Sequence, residues 1–152
     1  MNLFTLVFGE RPSYRRVIVE TPPKAARWRS VRARELQPPV RAWRAEADHN
    51  VKTDRGSLRA RGGEDFIVES KDGDHSVVRG DIFERTYEAV GGDLYRKRDD
   101  VELRYFTLDR PAVVKTLEGE QEAEPGDWIM QGVAGELWPV SRAEAERKYE
   151  HA

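Results

Sequence analysis

Short apolar runs separated by glycine-containing turns dominate the pattern of hydrophobic and polar positions along the chain. The runs 66–68 and 128–130 carry large apolar side chains at consecutive positions. Successive residues of a strand point to opposite faces, so these runs predict strands that are covered on both sides. Turns at Gly56, Gly73, Gly119 and Gly135 separate these runs from their neighbours, because glycine accepts the positive φ angles of tight turns.

The two halves of this pattern repeat each other. With Asp65 placed over Asp127, similar residues recur at a constant spacing of 62 positions as far as Glu88 and Glu150. The aligned pairs include Phe66 with Trp128, Ile67 with Ile129, Gly73 with Gly135, Arg85 with Arg147 and Tyr87 with Tyr149. One extra residue in the first copy then brings Thr53, Gly56, Ala60 and Gly63 onto Thr116, Gly119, Ala123 and Gly126. This agreement indicates a tandem duplication of one small unit.

The duplication predicts an α+β protein with two tandem β-barrel or β-sheet units, at residues 36–91 and 95–152. Each unit is expected to end in a short helix, at "DIFERTYE" and at "SRAEAERKYE". Ser141 and Glu144 have the spacing of a helix capping box. Units of about 55 residues bury little surface, so we expect the two units to pack on each other and share a core.

Residues 1–35 are predicted to form a separate basic N-terminal segment. Apolar residues at 3–8 and 16–20 suggest two strands joined in a hairpin. Two Pro-Pro pairs enclose residues 24–37, where Ala25, Trp28 and Val31 make a thin apolar stripe at helical spacing. The expected structure of this stretch is a basic helix.

Charge is distributed unevenly, although the net charge of the 152 residues is only −2. Residues 1–46 contain ten arginine and lysine residues against four acidic ones. Such a basic segment either binds an anionic partner or docks on the acidic remainder of the chain. In the first case, nucleic-acid phosphates would be bound by residues 11–44, with the candidate residues Arg27, Arg29, Arg32 and Arg34.

The second copy resembles the small PGDYG-type proteins of bacteria and their phages. The residues that carry the resemblance are Pro125, Gly126, Asp127, Trp128, Gly135, Glu136, Trp138, Pro139, Tyr149 and Glu150. The copy departs from the motif at Trp128 and Ile129, and the first copy has Gly63-Glu64-Asp65-Phe66 in place of the Pro-Gly-Asp turn. The resemblance implies a bacterial or prophage origin and a cytoplasmic setting, and it implies no activity.

The sequence offers little catalytic or metal-binding chemistry. There is no cysteine, and the three histidines are not paired with one another by the repeat. No HExxH, P-loop or GxGxxG motif is present, so we expect no metal, no cofactor and no catalytic set. A small hydrolase-type enzyme that uses Asp127 and Glu150, or their first-copy partners Asp65 and Glu88, as a carboxylate acid–base pair is kept as an alternative.

The function predicted from the sequence is that of a non-catalytic binding or regulatory module. Its partner would be a protein or a small anionic, nucleotide-like ligand held between the two repeat units. The candidate ligand-binding residues are those that the repeat retains or that add aromatic surface: Phe66, Arg85, Tyr87, Asp127, Trp128, Trp138, Arg147 and Tyr149. No run of apolar residues is long enough to cross a membrane, and the expected location is the cytoplasm.

Overall fold

The computed structural model describes residues 16–35, 37–54 and 56–152, which form short strands and two one-to-two-turn helices. In chain order the elements are β1 (Val17–Val19), β2 (Arg29–Ala33), β3 (Val40–Arg44), β4 (His49–Thr53), β5 (Gly56–Ala60), β6 (Phe66–Glu69), β7 (His75–Val78), α1 (Gly80–Thr86), β8 (Tyr87–Gly91), β9 (Leu94–Lys97), β10 (Leu103–Phe106), β11 (Ala112–Thr116), β12 (Gly119–Ala123), β13 (Trp128–Gln131), β14 (Leu137–Val140), α2 (Arg142–Lys148) and β15 (Tyr149–His151).

The chain divides into two compact units. Residues 35–101 form one of them, which we call the continuous unit. The other, the discontinuous unit, combines described residues 16–34 with residues 102–152. The predicted segment 1–35 is therefore not a separate body in its described part, because β1 and β2 belong to the discontinuous unit.

Each unit contains the same five-stranded antiparallel sheet. The order is β7-β6-β3-β9-β8 in the continuous unit and β14-β13-β10-β2-β15 in the discontinuous unit. The registers also agree: Ile67 pairs with Trp43 in one sheet, and Ile129 pairs with Phe106 in the other. The repeat predicted from the sequence is thus confirmed in the backbone, with β6 and β13 in equivalent places.

Each five-stranded sheet buries side chains on both of its faces. In the discontinuous unit, α2 covers a cluster around Tyr105, Trp128 and Met130 on one face. On the other face, Ile129 packs with Val114 and further residues of β1, β11 and β12. Because apolar groups of β13 are needed on both sides, the run 128–130 shows no alternation, as the sequence pattern predicted.

The turns of the two units are built alike. Thr53 Oγ1 donates to the carbonyl of Gly56, and Thr116 Oγ1 donates to that of Gly119, both at 2.7 Å. The glycines have φ angles of 98° and 104°, in the left-handed region where a Cβ is unfavourable. The β4–β5 and β11–β12 hairpins predicted from these glycines are therefore confirmed.

The expected basic helix over residues 24–37 is wrong, because its central part is strand β2. Val31 is fully buried, while Ser30 and Arg32 on either side of it are exposed, which is the two-residue period of a strand. β2 pairs with β10 on one side and with β15 on the other. Hydrogen bonds to two neighbouring strands outweigh a helical stripe of only three apolar residues.

The α+β class is also wrong: the described residues are mostly β, with 48% of them in strands and 10% in helices, and the sheets that they form include no closed barrel. The helices do not end their units, since each continues directly into a strand, β8 or β15. Of the expected N-terminal hairpin, residues 3–8 lie outside the described residues. Its second strand, β1, pairs in parallel with β11.

The fourth strand in the sheet order reaches the two sheets by different routes. In the continuous unit, β9 follows β8 through a tight turn at Gly92, where φ is 57°. In the discontinuous unit the same place is taken by β2, which precedes the whole first copy. The backbone contacts are equivalent, since Arg34 N donates to Lys148 O and Arg98 N donates to Thr86 O, both at 2.8 Å. We call β2 the closing strand.

Candidate functional site

The aromatic residues expected to bind a ligand lie in or against the cores. Phe66 and Trp128 are buried, with 7% and 4% of their surface exposed. Trp138 and Tyr149 are half-buried against the cluster that contains Trp128, and Tyr87 is half-buried against the cluster that contains Phe66. These five rings therefore pack the interior of their own units, and little of their surface is left for a ligand.

Tyr87 illustrates this role. It begins β8 and stacks on Phe83 with ring centroids 4.6 Å apart. Burial raises the pKa of the Tyr87 hydroxyl to about 12, because the phenolate is poorly solvated inside the unit. The pKa of the equivalent Tyr149 is raised by the same cause.

The raised pKa of Tyr87 predicts a specific loss of stability in alkali. Stability from this group is fully present below its unfolded pKa near 10, and it falls as the pH rises towards about 12. Two pKa units correspond to about 3 kcal/mol at most. Urea unfolding at a series of pH values should show this fall in the wild type but a shallower one in Tyr87→Phe. Parallel curves for the two proteins would contradict the assignment.

The polar candidates make local contacts. Asp127 accepts a hydrogen bond from Glu124 N at 2.8 Å, as Asp65 does from Arg61 N at 2.9 Å. Both carboxylates therefore fix the turn before a central strand. Arg147 pairs with Glu144 on α2 at 3.7 Å. Arg85 is exposed in the last turn of α1.

The carboxylate pair proposed for an enzyme is not assembled. Asp127 immediately precedes β13, whereas Glu150 lies on β15. β10 and β2 lie between these two strands, a separation of about 14 Å at the usual strand spacing. This distance is too long for the two carboxyls to act together on one bond.

The four arginines considered for nucleic-acid binding do not act as a group. Arg34 Nη2 donates to the carbonyls of Glu146 and Tyr149, each at 2.9 Å, and so caps the end of α2. Arg29 and Arg32 alternate along β2, so they lie on opposite faces of the sheet. Arg27, in the segment before β2, and these two arginines are all exposed, and their side chains make no hydrogen bond or ion pair with another described residue.

Arg32 instead shares a sheet face with a residue that the sequence analysis did not single out, Arg104 on the neighbouring strand β10. Arg104 Nε donates to Gln131 Oε1 at 2.7 Å, and its guanidinium carbon lies 3.8 Å from the ring centroid of Trp28. The ring of Trp28 packs against that of Phe106 in a T-shaped pair, with centroids 5.1 Å apart. We define the arginine face as Trp28, Ser30, Arg32, Arg104, Gln131 and Glu150.

The continuous unit has the same two arginines. Arg41 is equivalent to Arg104, since Trp43 and Phe106, two residues later, hold the same register. Arg96 is equivalent to Arg32, since each stands opposite the glutamate of the last strand, Glu88 or Glu150. The sequence also carries this signal, since residues 38–43 ("PPVRAW") loosely match residues 99–105 ("DDVELRY"), but only the sheet order brings the arginines together.

The two arginine pairs differ in their counter-charges. Arg41 donates from Nε to Asp93 Oδ2 at 2.9 Å and from Nη1 to Glu69 Oε1 at 3.4 Å. Those hydrogen bonds and charges raise the pKa of Arg41, and Arg96 lies 3.7 Å from Glu88. In the discontinuous unit the position of Glu69 is held by Gln131, and that of Asp93 by Arg29. Arg104 consequently makes no ion pair with a described residue.

Comparisons with family models, with curated proteins and with solved structures found no match. Within residues 16–35, 37–54 and 56–152, no three histidine, aspartate or glutamate side chains are grouped so that they could hold a metal ion. In the same part of the chain, neither helix has the length and apolar composition required to span a bilayer.

Proposed function

We propose that the protein is a non-catalytic binding module whose arginine face holds an anionic group of its partner. The observation that carries this proposal is the difference between the two units. Both arginines are present in both units, but only in the continuous unit does the arginine equivalent to Arg104, which is Arg41, contact carboxylates. Arg104 and Arg32 are therefore two exposed cations on neighbouring strands, and neither side chain makes an ion pair with a described residue.

The arginine face also holds one of its two arginine side chains, Arg104, in a fixed position before a ligand binds. The guanidinium of Arg104 is held in place by Gln131 and by the ring of Trp28. Its Nη groups donate no hydrogen bond to a described residue. A side chain that is already ordered loses less conformational entropy on binding, and guanidinium groups form charge-assisted hydrogen bonds with carboxylates and phosphates.

An anion titration tests this function. The probes are inorganic phosphate, a capped peptide of alternating glutamate and serine, and oligothymidylate, each added at low and at high salt. We expect at least one probe to bind at low salt, and Arg32→Ala to weaken it about tenfold, the worth of one charge-assisted hydrogen bond. Arg85→Ala, which removes an exposed arginine from α1, is the matched control and should leave binding unchanged. Equal losses in both variants, or no binding of any probe, would refute the proposal.

Origin and location form part of the same proposal. The resemblance of residues 125–150 to PGDYG-type proteins supports a bacterial or prophage source. A cytoplasmic location agrees with that source. Proteomics of fractionated cells from such a source would test the location, and recovery outside the cytoplasm would contradict it.

A further inference from the structure

The continuous unit indicates which chemical group the arginine face accepts. At the equivalent place, Asp93 and Glu69 both lie against Arg41, and Glu88 lies beside Arg96. All three contacts are made by carboxylates, and all of them form within one chain. In the discontinuous unit the positions equivalent to Glu69 and Asp93 are held by Gln131 and Arg29, which are not carboxylates.

We propose that the partner is a protein segment whose aspartate or glutamate binds Arg104 and Arg32 in place of the missing internal carboxylates. This inference rests on the proposed function and specifies its ligand class. The partner's carboxylate replaces, between two molecules, the contact that Asp93 makes with Arg41 inside the continuous unit. Gln131 keeps Arg104 in the bound orientation through the 2.7 Å hydrogen bond to Nε.

Two features of the discontinuous unit disfavour a nucleic acid. The guanidinium of Arg104 covers one face of the Trp28 ring, and the ring also packs against Phe106, so less of its surface is open for stacking a base. The β11–β12 hairpin of the same unit also exposes Glu118, Glu120 and Glu122, of which Glu122 lies 3.5 Å from Arg16. These charges repel a long phosphate backbone, whereas one carboxylate on a short segment is repelled far less.

The arginine side chains themselves provide the readout. Their Nε–Hε groups give resolved ¹H–¹⁵N signals, which are followed while the full-length protein is titrated with the capped glutamate–serine peptide. We expect the signals of Arg32 and Arg104 to move, with an effect that decreases with salt, and those of Arg41 and Arg96 to stay. A peptide with glutamine in place of glutamate is the control and should move none of them.

Substitutions that give each unit the side chains of the other test the inference in both directions. Gln131→Glu installs the residue that the continuous unit has at the equivalent position, so the fold should tolerate it. We expect it to supply Arg104 with an internal carboxylate and to weaken peptide binding about tenfold. The double variant Glu69→Gln with Asp93→Asn should free Arg41, whose signal should then respond to the peptide.

The outcomes separate this inference from the function on which it rests. If oligothymidylate or phosphate moves the Arg32 and Arg104 signals while the peptide does not, the carboxylate assignment is wrong and the anion site stands. If Gln131→Glu binds the peptide as tightly as the wild type, the inference is also overturned. If no anion moves these signals, both proposals fail.

Discussion

Removal of residues 1–34 is expected to unfold the discontinuous unit and to leave the continuous unit folded. The truncation deletes the closing strand β2, which lies inside the sheet between β10 and β15. It removes the fully buried Val31, whose burial is worth about 1.5–3 kcal/mol. It also removes the hydrogen bonds to two neighbouring strands, each worth about 1 kcal/mol. A core of this size supplies only about 3–5 kcal/mol of stability in total. The truncation therefore removes more stabilising free energy than the folded unit has.

Backbone amide NMR of the truncated chain measures this directly. Dispersed signals should persist for residues of the continuous unit and collapse for those of β10, β13 and β15. Addition of a peptide of residues 16–34 should restore the lost signals, whereas the same peptide with Val31→Asp, which places a charge at a buried position, should not. A truncated chain that retains all of its native signals would show that β2 is dispensable.

The second large effect concerns two core positions, one on the helix and one on a strand. The helix position has the large side chain in the continuous unit, and the strand position has it in the discontinuous unit. In the continuous unit Phe83 of α1 stacks on Phe66 with centroids 3.9 Å apart, and the strand position nearby is Ala42. In the discontinuous unit the helix position is Ala145, and Tyr105 of β10 stacks on Trp128 at 3.8 Å. The same stack is thus made from the helix in one unit and from the strand in the other.

A double-mutant cycle tests whether the two arrangements are interchangeable. Tyr105→Ala should destabilise the discontinuous unit by about 3–5 kcal/mol through a cavity, and Ala145→Phe by about 1–3 kcal/mol through overpacking. The double variant should lose clearly less than the sum, with a coupling above about 1 kcal/mol, because the new phenylalanine takes the place of the tyrosine ring.

Urea unfolding supplies the three free energies, and Ala143→Phe provides the control. Ala143 is an exposed position of the same helix, so a phenylalanine there should neither strain the core nor couple to Tyr105→Ala. Additive losses for Tyr105→Ala and Ala145→Phe would mean that the two cores are not alternative packings of one design.

Local patterns predicted the repeat, the glycine turns and the strands buried on both faces, because each of these is determined by residues a few positions apart. The helix expected over residues 24–37 failed because β2 is stabilised by β10 and β15, strands more than seventy residues away along the chain. The arginine face could not be predicted for the same reason. Arg32 and Arg104 become neighbours only through the pairing of β2 with β10, and no local period records that pairing.

The route of the closing strand has a consequence for synthesis on the ribosome. β2 leaves the exit tunnel before the strands with which it pairs. The carbonyl groups that accept hydrogen bonds from Arg34 lie 112 and 115 residues further along the chain. The continuous unit can meanwhile complete itself from adjacent sequence. An unpaired strand is prone to aggregate, and charged side chains counter that tendency. We therefore expect the charges of Arg29, Arg32 and Arg34 to oppose aggregation of the nascent strand until its last neighbour is translated.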